Sequence, residues 1–471
     1  MMRKRQKMSN NREQWGSRLG FILAASGSAV GIGNIWKFPY IAGENGGAAF
    51  TIVYLACIMI VGLSILVAEF VIGRKTLLSP VGAFEKIAPG TNWKYVGFLG
   101  VASAFVILSF YGVVGGWILK YITVSIAGGF DSFASDTSAS GALFNEFITS
   151  AYSPLFYQLI FMGLCVFVII RGVKGGIEKW SKIMMPLIVV LLGVLAIRGM
   201  TLDGGMKGVS FLFNPRFGDL SASAIVLALG HSFFTVSLGM GTMITYGSYL
   251  KKDQNLLSSA LWVIFLDTAI AMLAGVAIFT TVFALGADPA SGPGLIFVIL
   301  PSVFPEIAGG IVWSSIFFFL LFMAALTSAI SILEVVTAYF IDQKGWSRKK
   351  STLIFGSVIT IVGCFCSLSL GGGINITGIF GEDFFLGGTF FDVMDNLSGK
   401  YMLPIGGMLT ALFVINKMGM KDYIYELSVG SVNQNINPSI IKGFLIVAAA
   451  VVAFIIFNEF YALLSGKALV G

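Results

Sequence analysis

Charge is what this chain lacks. Asp, Glu, Lys and Arg make up 11% of its 471 residues, where a water-soluble domain carries about 25%. Histidine occurs once, at His231, which excludes multi-histidine metal centres and leaves no catalytic cluster for an enzyme. Cysteine occurs four times, at Cys57, Cys165, Cys364 and Cys366, always inside an apolar stretch. Cys364 and Cys366 have neither a second pair nor histidines around them, so buried thiols are expected, not a metal site or a disulfide framework.

What is present in excess is hydrophobic: 56% of residues are apolar and the mean hydropathy is +0.89. This predicts an all-α polytopic membrane protein. Apolar stretches of spanning length fall near 15–42, 48–73, 96–128, 154–171, 180–199, 221–249, 257–286, 310–341, 352–371, 389–416 and 438–464, which makes eleven helices. With the N-terminus in the cytoplasm, the basic clusters Arg3/Lys4/Arg5/Lys7, Arg74/Lys75, Arg171/Lys174/Lys179/Lys182, Lys251/Lys252 and Arg348/Lys349/Lys350 share one side. The loop 128–153 on the other side has Asp131, Asp136 and Glu146 but no Lys or Arg. An odd helix count puts the C-terminus outside. The net charge of +7 therefore reads as membrane topology, not nucleic-acid binding. The charged start and the lack of a small-residue cleavage site argue against a removable signal peptide.

Two of these helices interrupt themselves. Gly27-Ser-Ala-Val-Gly-Ile-Gly-Asn34 lies between two apolar halves, and Ser237-Leu-Gly-Met-Gly241 breaks a later one. Glycine inside a helix costs about 1 kcal/mol against alanine, and unpaired backbone groups in lipid cost more. Such breaks persist where they line a cavity, and a matched pair in two halves points to a midplane binding site for a transported solute. The first ten helices divide five and five, with helices one and six corresponding. The expected units are a basic tail 1–11, a first repeat 12–199, a second repeat 200–416, and the last helix with a short end, 417–471. The proline-rich loop 286–309 is expected to be an outer lid. Gly176 and Pro186 would let the inner end of helix five unwind, or simply kink it.

Asp267, in an apolar run, is either a coupling group or a protonated structural acid held by a neighbour; an intramembrane acid defaults to function. Glu69 is expected to accept amide hydrogen bonds from the broken helices. Glu334 is a third such acid with no evident role. Ala324, Thr327 and Ser328 share a helix face, followed by Ile332 one turn on. Their oxygens, with carbonyls freed at Gly27–Val30, suit a hard cation such as Na⁺; hydroxyl bonding between helices explains them equally well. Ile107 and Tyr111 share a face, as an apolar wall and a phenol donor or as packing. Half-helix N-termini attract a carboxylate, and C-terminal carbonyls attract a cation.

Arg12-Glu-Gln-Trp15, Gly27–Asn34, Phe38-Pro39, Glu44-Asn-Gly-Gly47, Phe233-Phe-Thr-Val-Ser-Leu-Gly-Met-Gly241 and Ala324-Ala-Leu-Thr-Ser328 together resemble the neurotransmitter:sodium symporter family, in its eleven-helix bacterial branch. The likeness runs from Arg12 to the end of helix ten. It implies a LeuT-like 5+5 inverted-repeat fold with discontinuous helices one and six, and two Na⁺ sites. The first would use Ala29, Asn34, Thr235, Asp267 and the substrate's carboxylate. The second would use carbonyls of Gly27, Val30 and Ala324 with hydroxyls of Thr327 and Ser328. Tyr111 would hold the substrate carboxylate beside the backbone of Ala29, Gly31 and Gly33, with Ile107, Phe234, Thr235, Ser237, Met240, Ser328 and Ile332 around the side chain. The resemblance also implies an inner gate of Arg12 and Asp342 with Tyr249 and Ser248, and an outer gate of Lys37 and Asp395.

Departures from the family sharpen the expectation. Gly31 stands where amine-transporting members have Asp, which implies an amino acid substrate that brings its own carboxylate. Asp267 replaces a common Asn, so its charge would substitute for chloride and no chloride is expected. His231 replaces a frequent Gln and is either a proton-coupled group or neutral packing. Lys37 in place of Arg lacks the bidentate fork and implies a looser outer gate. Met240 in place of a bulky Phe favours large apolar or aromatic side chains. The expectation is a plasma-membrane symporter importing neutral hydrophobic L-amino acids with Na⁺ by alternating access. The alternatives are a sodium-dependent amino-acid sensor without flux and a symporter for another small carboxylate.

Overall fold

The computed structural model describes residues 12–134, 136–290, 292, 294–371, 388–431 and 437–465. The tail 1–11, with its first basic cluster, lies outside the described residues. Those described contain helices and no strand. Nine helices are long and apolar enough to cross a membrane alone, from Ala48–Thr76 to Pro438–Ser465, and a tenth crossing is the bent pair Arg18–Ala29 and Gly33–Glu44. The predicted count of eleven is not reached on this criterion. The reason is the second break, which leaves pieces of 14 residues, Ala222–Thr235, and 6 residues, Thr242–Gly247, each too short to span.

The first broken helix bends by 52°. Val30 and Gly31 leave the helix, and Ile32 with a π-helical turn Gly33–Lys37 restarts it. The second break spans six residues, with Ser237, Gly239 and Gly241 all at positive φ. Gly239 (φ +78) is obligatory: a Cβ there would lie 2.1 Å from the Leu403 carbonyl oxygen. Ser237 (φ +52) has no such excuse. A non-glycine residue in this region costs about 1–3 kcal/mol, and its hydroxyl is what the site uses.

The long helix Gly310–Lys344 packs along Lys94–Ile126 and forms one wall of the bundle; the first broken helix lies against Gly310–Lys344 and Leu256–Ala284, and the Thr242–Gly247 half of the second lies against Gly310–Lys344 and Leu63–Thr76. Close approach of the second half-helix depends on Gly73, whose added Cβ would sit 2.1 Å from the Ile244 carbonyl oxygen. We expect Gly73→Ala to destabilise the protein by about 1–3 kcal/mol or more, read as a lower unfolding temperature in detergent.

Two local expectations change. The helix Val173–Met200 is continuous through Pro186, with a π-helical first turn, Val173–Glu178, that absorbs the glycines without unwinding. Glu178 holds that turn to the first helix, accepting from the Gly16 amide at 2.6 Å and the Ser17 hydroxyl at 3.0 Å. The loop 286–309 is largely helical, as Leu295–Ile299, Leu300–Val303 and Phe304–Glu306. Its Phe297 is buried against Trp36, Trp117, Tyr121 and Phe144. Apolar residues between the prolines pull it inward as a packed cap.

Candidate functional site

The two breaks face each other across one cavity. All eleven residues expected at the substrate position line it, from Ala29, Gly31 and Gly33 through Ile107, Tyr111, Phe234, Thr235, Ser237 and Met240 to Ser328 and Ile332; Ser28 is the twelfth. Its free space is about 20 Å³, room for one water. The flexible Met240 and the Phe234 ring are the walls with most freedom to move.

The expected first cation position is a buried cluster centred on Asp267. Its Oδ1 accepts from Asn34 Nδ2 at 2.8 Å and from Thr235 Oγ1 at 3.1 Å, and Tyr54 donates to Oδ2 at 3.4 Å. Asn34 Oδ1 in turn accepts the Gly31 amide at 3.1 Å. These donors are all neutral, and among the described residues no basic side chain pairs with Asp267. His231 packs behind this cluster with ring centroids 5.3 Å from Tyr54 and 6.3 Å from Phe38. Among the described residues neither of its nitrogens finds a hydrogen-bond partner.

The expected second position lies on the other side of the first break. Ser328 Oγ reaches the carbonyls of Ser28 at 3.1 Å, Val30 at 3.2 Å and Gly27 at 3.4 Å. Thr327 Oγ1 donates to Ala324 O at 2.9 Å, and the Gly27 Cα hydrogen points at Thr327, whose Cβ would be 3.3 Å from an added methyl. Gly27, Val30, Ala324, Thr327 and Ser328 thus form one group of hard oxygens. Such donors suit a hard cation, whereas the set offers nothing to a soft metal.

Sequence reasoning missed the link between the breaks. Ser28 Oγ lies 2.7 Å from Ser331 Oγ and 3.3 Å from Ser237 Oγ, and Ser237 donates to the Ser28 carbonyl at 2.9 Å. The signal was available: Ser331 follows Ser328 by three residues on the same helical face. Glu69 behaves as anticipated, with Oε1 accepting the Gly239 amide at 2.8 Å. Tyr111 accepts the Ile32 amide at 3.3 Å.

At the face bearing Arg12, the expected gate is closed. Arg12 Nη1 contacts both Asp342 oxygens, at 2.5 and 2.6 Å, and its Nε and Nη2 donate to Ser248 Oγ. Its guanidinium lies 4.6 Å from the Tyr249 ring centroid. Burial opposes the Arg12 charge, yet Asp342 and Tyr249 outweigh it and hold the pKa above the usual value. A raised pKa keeps the pair's stabilisation intact until pH climbs past the ordinary arginine range, so this side stays charged at every physiological pH. The Ser79 amide also donates to Asp342, at 2.6 Å.

A second layer was not anticipated. Tyr249 donates to Glu334 at 2.5 Å, Arg348 reaches Glu334 at 2.6 Å, and Arg348 Nε reaches Glu13 at 2.9 Å. Glu334 therefore belongs with the gate. At the opposite face Lys37 and Asp395 are not within ion-pair distance among the described residues. Lys37 Nζ instead sits 4.9 Å from the Phe234 ring centroid.

Comparison with known proteins agrees in every direction. The sequence pattern of the "Sodium:neurotransmitter symporter family" matches residues 12–134 and 148–464. An uncharacterised sodium-dependent transporter, YhdH, of Bacillus subtilis is 40% identical over 418 residues, covering 89% of this chain and 91% of that protein. A second, from Haemophilus influenzae, is 35% identical over 419 residues, covering 86% and 89%. The crystal structure of MhsT in complex with L-phenylalanine is similar at a TM-score of 0.85 and 45% identity, covering 95% of this chain and 99% of that one.

Proposed function

The chain belongs to the sodium:neurotransmitter symporter family, and from that premise we propose that it imports neutral hydrophobic or aromatic L-amino acids, driven by two Na⁺ and independent of chloride. The family members it matches are sodium-dependent transporters, not enzymes. The observation that carries the finer reading is the buried Asp267 carboxylate, which has only neutral donors around it, next to a cavity enclosed by two helix breaks.

Substrate class follows from Gly31. A Cβ there would lie 2.4 Å from Ser328 Oγ and 2.9 Å from the Tyr111 hydroxyl, so no side chain fits that could replace a substrate's carboxylate. An amino acid supplies its own, received by Tyr111 and the exposed amides at the first break. Ile107, Phe234, Met240 and Ile332 give the side chain an apolar surround. MhsT, described with bound L-phenylalanine, is consistent with this.

The first Na⁺ is proposed at Ala29, Asn34, Thr235 and Asp267, and the second at Gly27, Val30, Ala324, Thr327 and Ser328. The face with Arg12 and Asp342 is assigned to the cytoplasm on its basic bias, which puts the N-terminus inside and the C-terminus outside. Lys37 and Asp395 would approach when Phe234 closes over a substrate. Two Na⁺ crossing 100 mV release about 4.6 kcal/mol, enough for roughly a thousandfold accumulation of a zwitterion.

The test is uptake of radiolabelled Trp, Phe, Tyr and Leu into proteoliposomes under an imposed Na⁺ gradient. Accumulation should require Na⁺ and persist when gluconate replaces chloride. Gly31→Ala should reduce uptake by about 5- to 150-fold, as expected for overpacking of roughly 1–3 kcal/mol. Binding without accumulation would establish a sensor instead, and indifference to every amino acid would reopen the substrate class.

A further inference from the structure

Away from both breaks, on the face that carries Arg12, the corner before the helix Lys94–Ile126 stands beside the end of Phe390–Met418. An open cleft of about 440 Å³ lies between them, with Asn92, Trp93, Tyr95, Val96, Leu409 and Lys417 among its walls. That volume is in the range of small-molecule sites. Its lining is mostly apolar, with Thr91, Asn92 and Lys417 as its polar members beside the Tyr95 phenol.

The cleft crosses from headgroup to hydrocarbon depth. Trp93 and Tyr95 are residues of the membrane–water interface, and Tyr95 is 58% exposed. Leu409 lies eight residues before Lys417, about 12 Å deeper along the helix. Lys417 is exposed, and among the described residues neither it nor Lys94 has an acidic partner. The ammonium of Lys94 rests 5.5 Å from the Tyr95 ring centroid, at the same level. A basic rim above an apolar slot is the charge and shape complement of a lipid anion.

We propose that this cleft is a binding site for one anionic glycerophospholipid of the cytoplasmic leaflet. Its phosphate rests on Lys417 and the Asn92 side chain, and an acyl chain lies along Trp93, Val96 and Leu409. Free phosphate would gain nothing from the apolar wall. The site adjoins the gate by packing alone. Trp93 and Phe84 both pack on Phe413, at 5.3 and 4.6 Å, and Phe84 belongs to the short helix Pro80–Ile87, which begins directly after Ser79. An occupant would therefore brace the helix whose preceding amide holds Asp342. The proposal does not depend on which solute is transported.

The experiment is native mass spectrometry of the detergent-purified full chain after addition of dioleoyl phosphatidylglycerol or dioleoyl phosphatidylcholine. One phosphatidylglycerol should be retained about fivefold better than phosphatidylcholine, the effect of roughly one lysine. Lys417→Gln should bring the two lipids level, with an unchanged unfolding temperature. Leu409→Trp, which fills the slot, should reduce retention of both. Lys421→Gln, outside the cleft, should change neither. Three results would overturn the proposal: equal loss in Lys421→Gln, which means diffuse attraction; displacement of phosphatidylglycerol by excess inorganic phosphate, which means a plain anion site; or wild-type retention in both cleft variants.

Discussion

Replacing Asp267 with Asn is expected to weaken the apparent sodium affinity by about 30- to 5,000-fold, the equivalent of roughly 2–5 kcal/mol for removing one member of a buried charge pair. The substitution keeps the shape and leaves Asn34, Thr235 and Tyr54 in place, so the change isolates charge. Those three side chains are neutral and all approach the same carboxylate. In a dry interior they do not compensate a full negative charge as a cation does. The measurement is sodium-dependent Trp binding to the purified protein, with uptake in proteoliposomes as its companion. Chloride should partly restore binding to the Asn variant, since a mobile anion can occupy the space the fixed one leaves. A variant that keeps wild-type sodium dependence without chloride would sink the assignment.

Arg12→Ala is expected to open the face that carries Arg12 in the absence of substrate. Arg12 and Asp342 are 8% and 7% exposed, and breaking such a pair from one side costs about 3–5 kcal/mol. That moves a closed–open equilibrium by about two to three and a half decades, enough to invert any modest preference. The remaining contacts do not prevent it, because Ser248 and the Tyr249 ring both hold Arg12 and lose it together. The check is the labelling rate of a cysteine placed in the Arg18–Ala29 helix, which should rise strongly while substrate accumulation collapses. An unchanged labelling rate would show that the second layer, Glu334–Arg348–Glu13, closes the face without Arg12.

Much of this was readable before the coordinates, for a physical reason. A membrane makes backbone breaks expensive, so glycine clusters at Gly27–Gly33 and Gly239–Gly241 had to line a cavity or be buried in protein. Helical spacing was enough to align Ala324, Thr327 and Ser328. Properties that depend on distance between elements were less legible. Arg348 was counted as one of a basic cluster because nothing local says that a residue past the Gly345 turn folds back onto Glu334. Lys37 and Asp395 were paired from family pattern alone, and the distance between side chains on two separate helices is not something sequence specifies. The helical cap at Leu295–Glu306 was hidden by its prolines, which read as loop but sit at helix starts, where no amide is needed. The second break also cost a crossing in the helix count, since spanning length is a property of an unbroken segment.

The Ser328 hydroxyl stands among three carbonyls from the first break, those of Gly27, Ser28 and Val30. It has one proton to give. Ser237 already serves the Ser28 carbonyl, so the single Ser328 proton is contested by the carbonyls of Gly27 and Val30, which the surrounding helices hold together against their mutual repulsion. A point mutation supplying a further donor there would make a quieter, better satisfied fold. It would also leave the second Na⁺ proposed there with nothing to relieve, and the proposed release of that ion with no effect on the helix. A hydrogen count that falls short at this spot is what would make the fold answer to an ion.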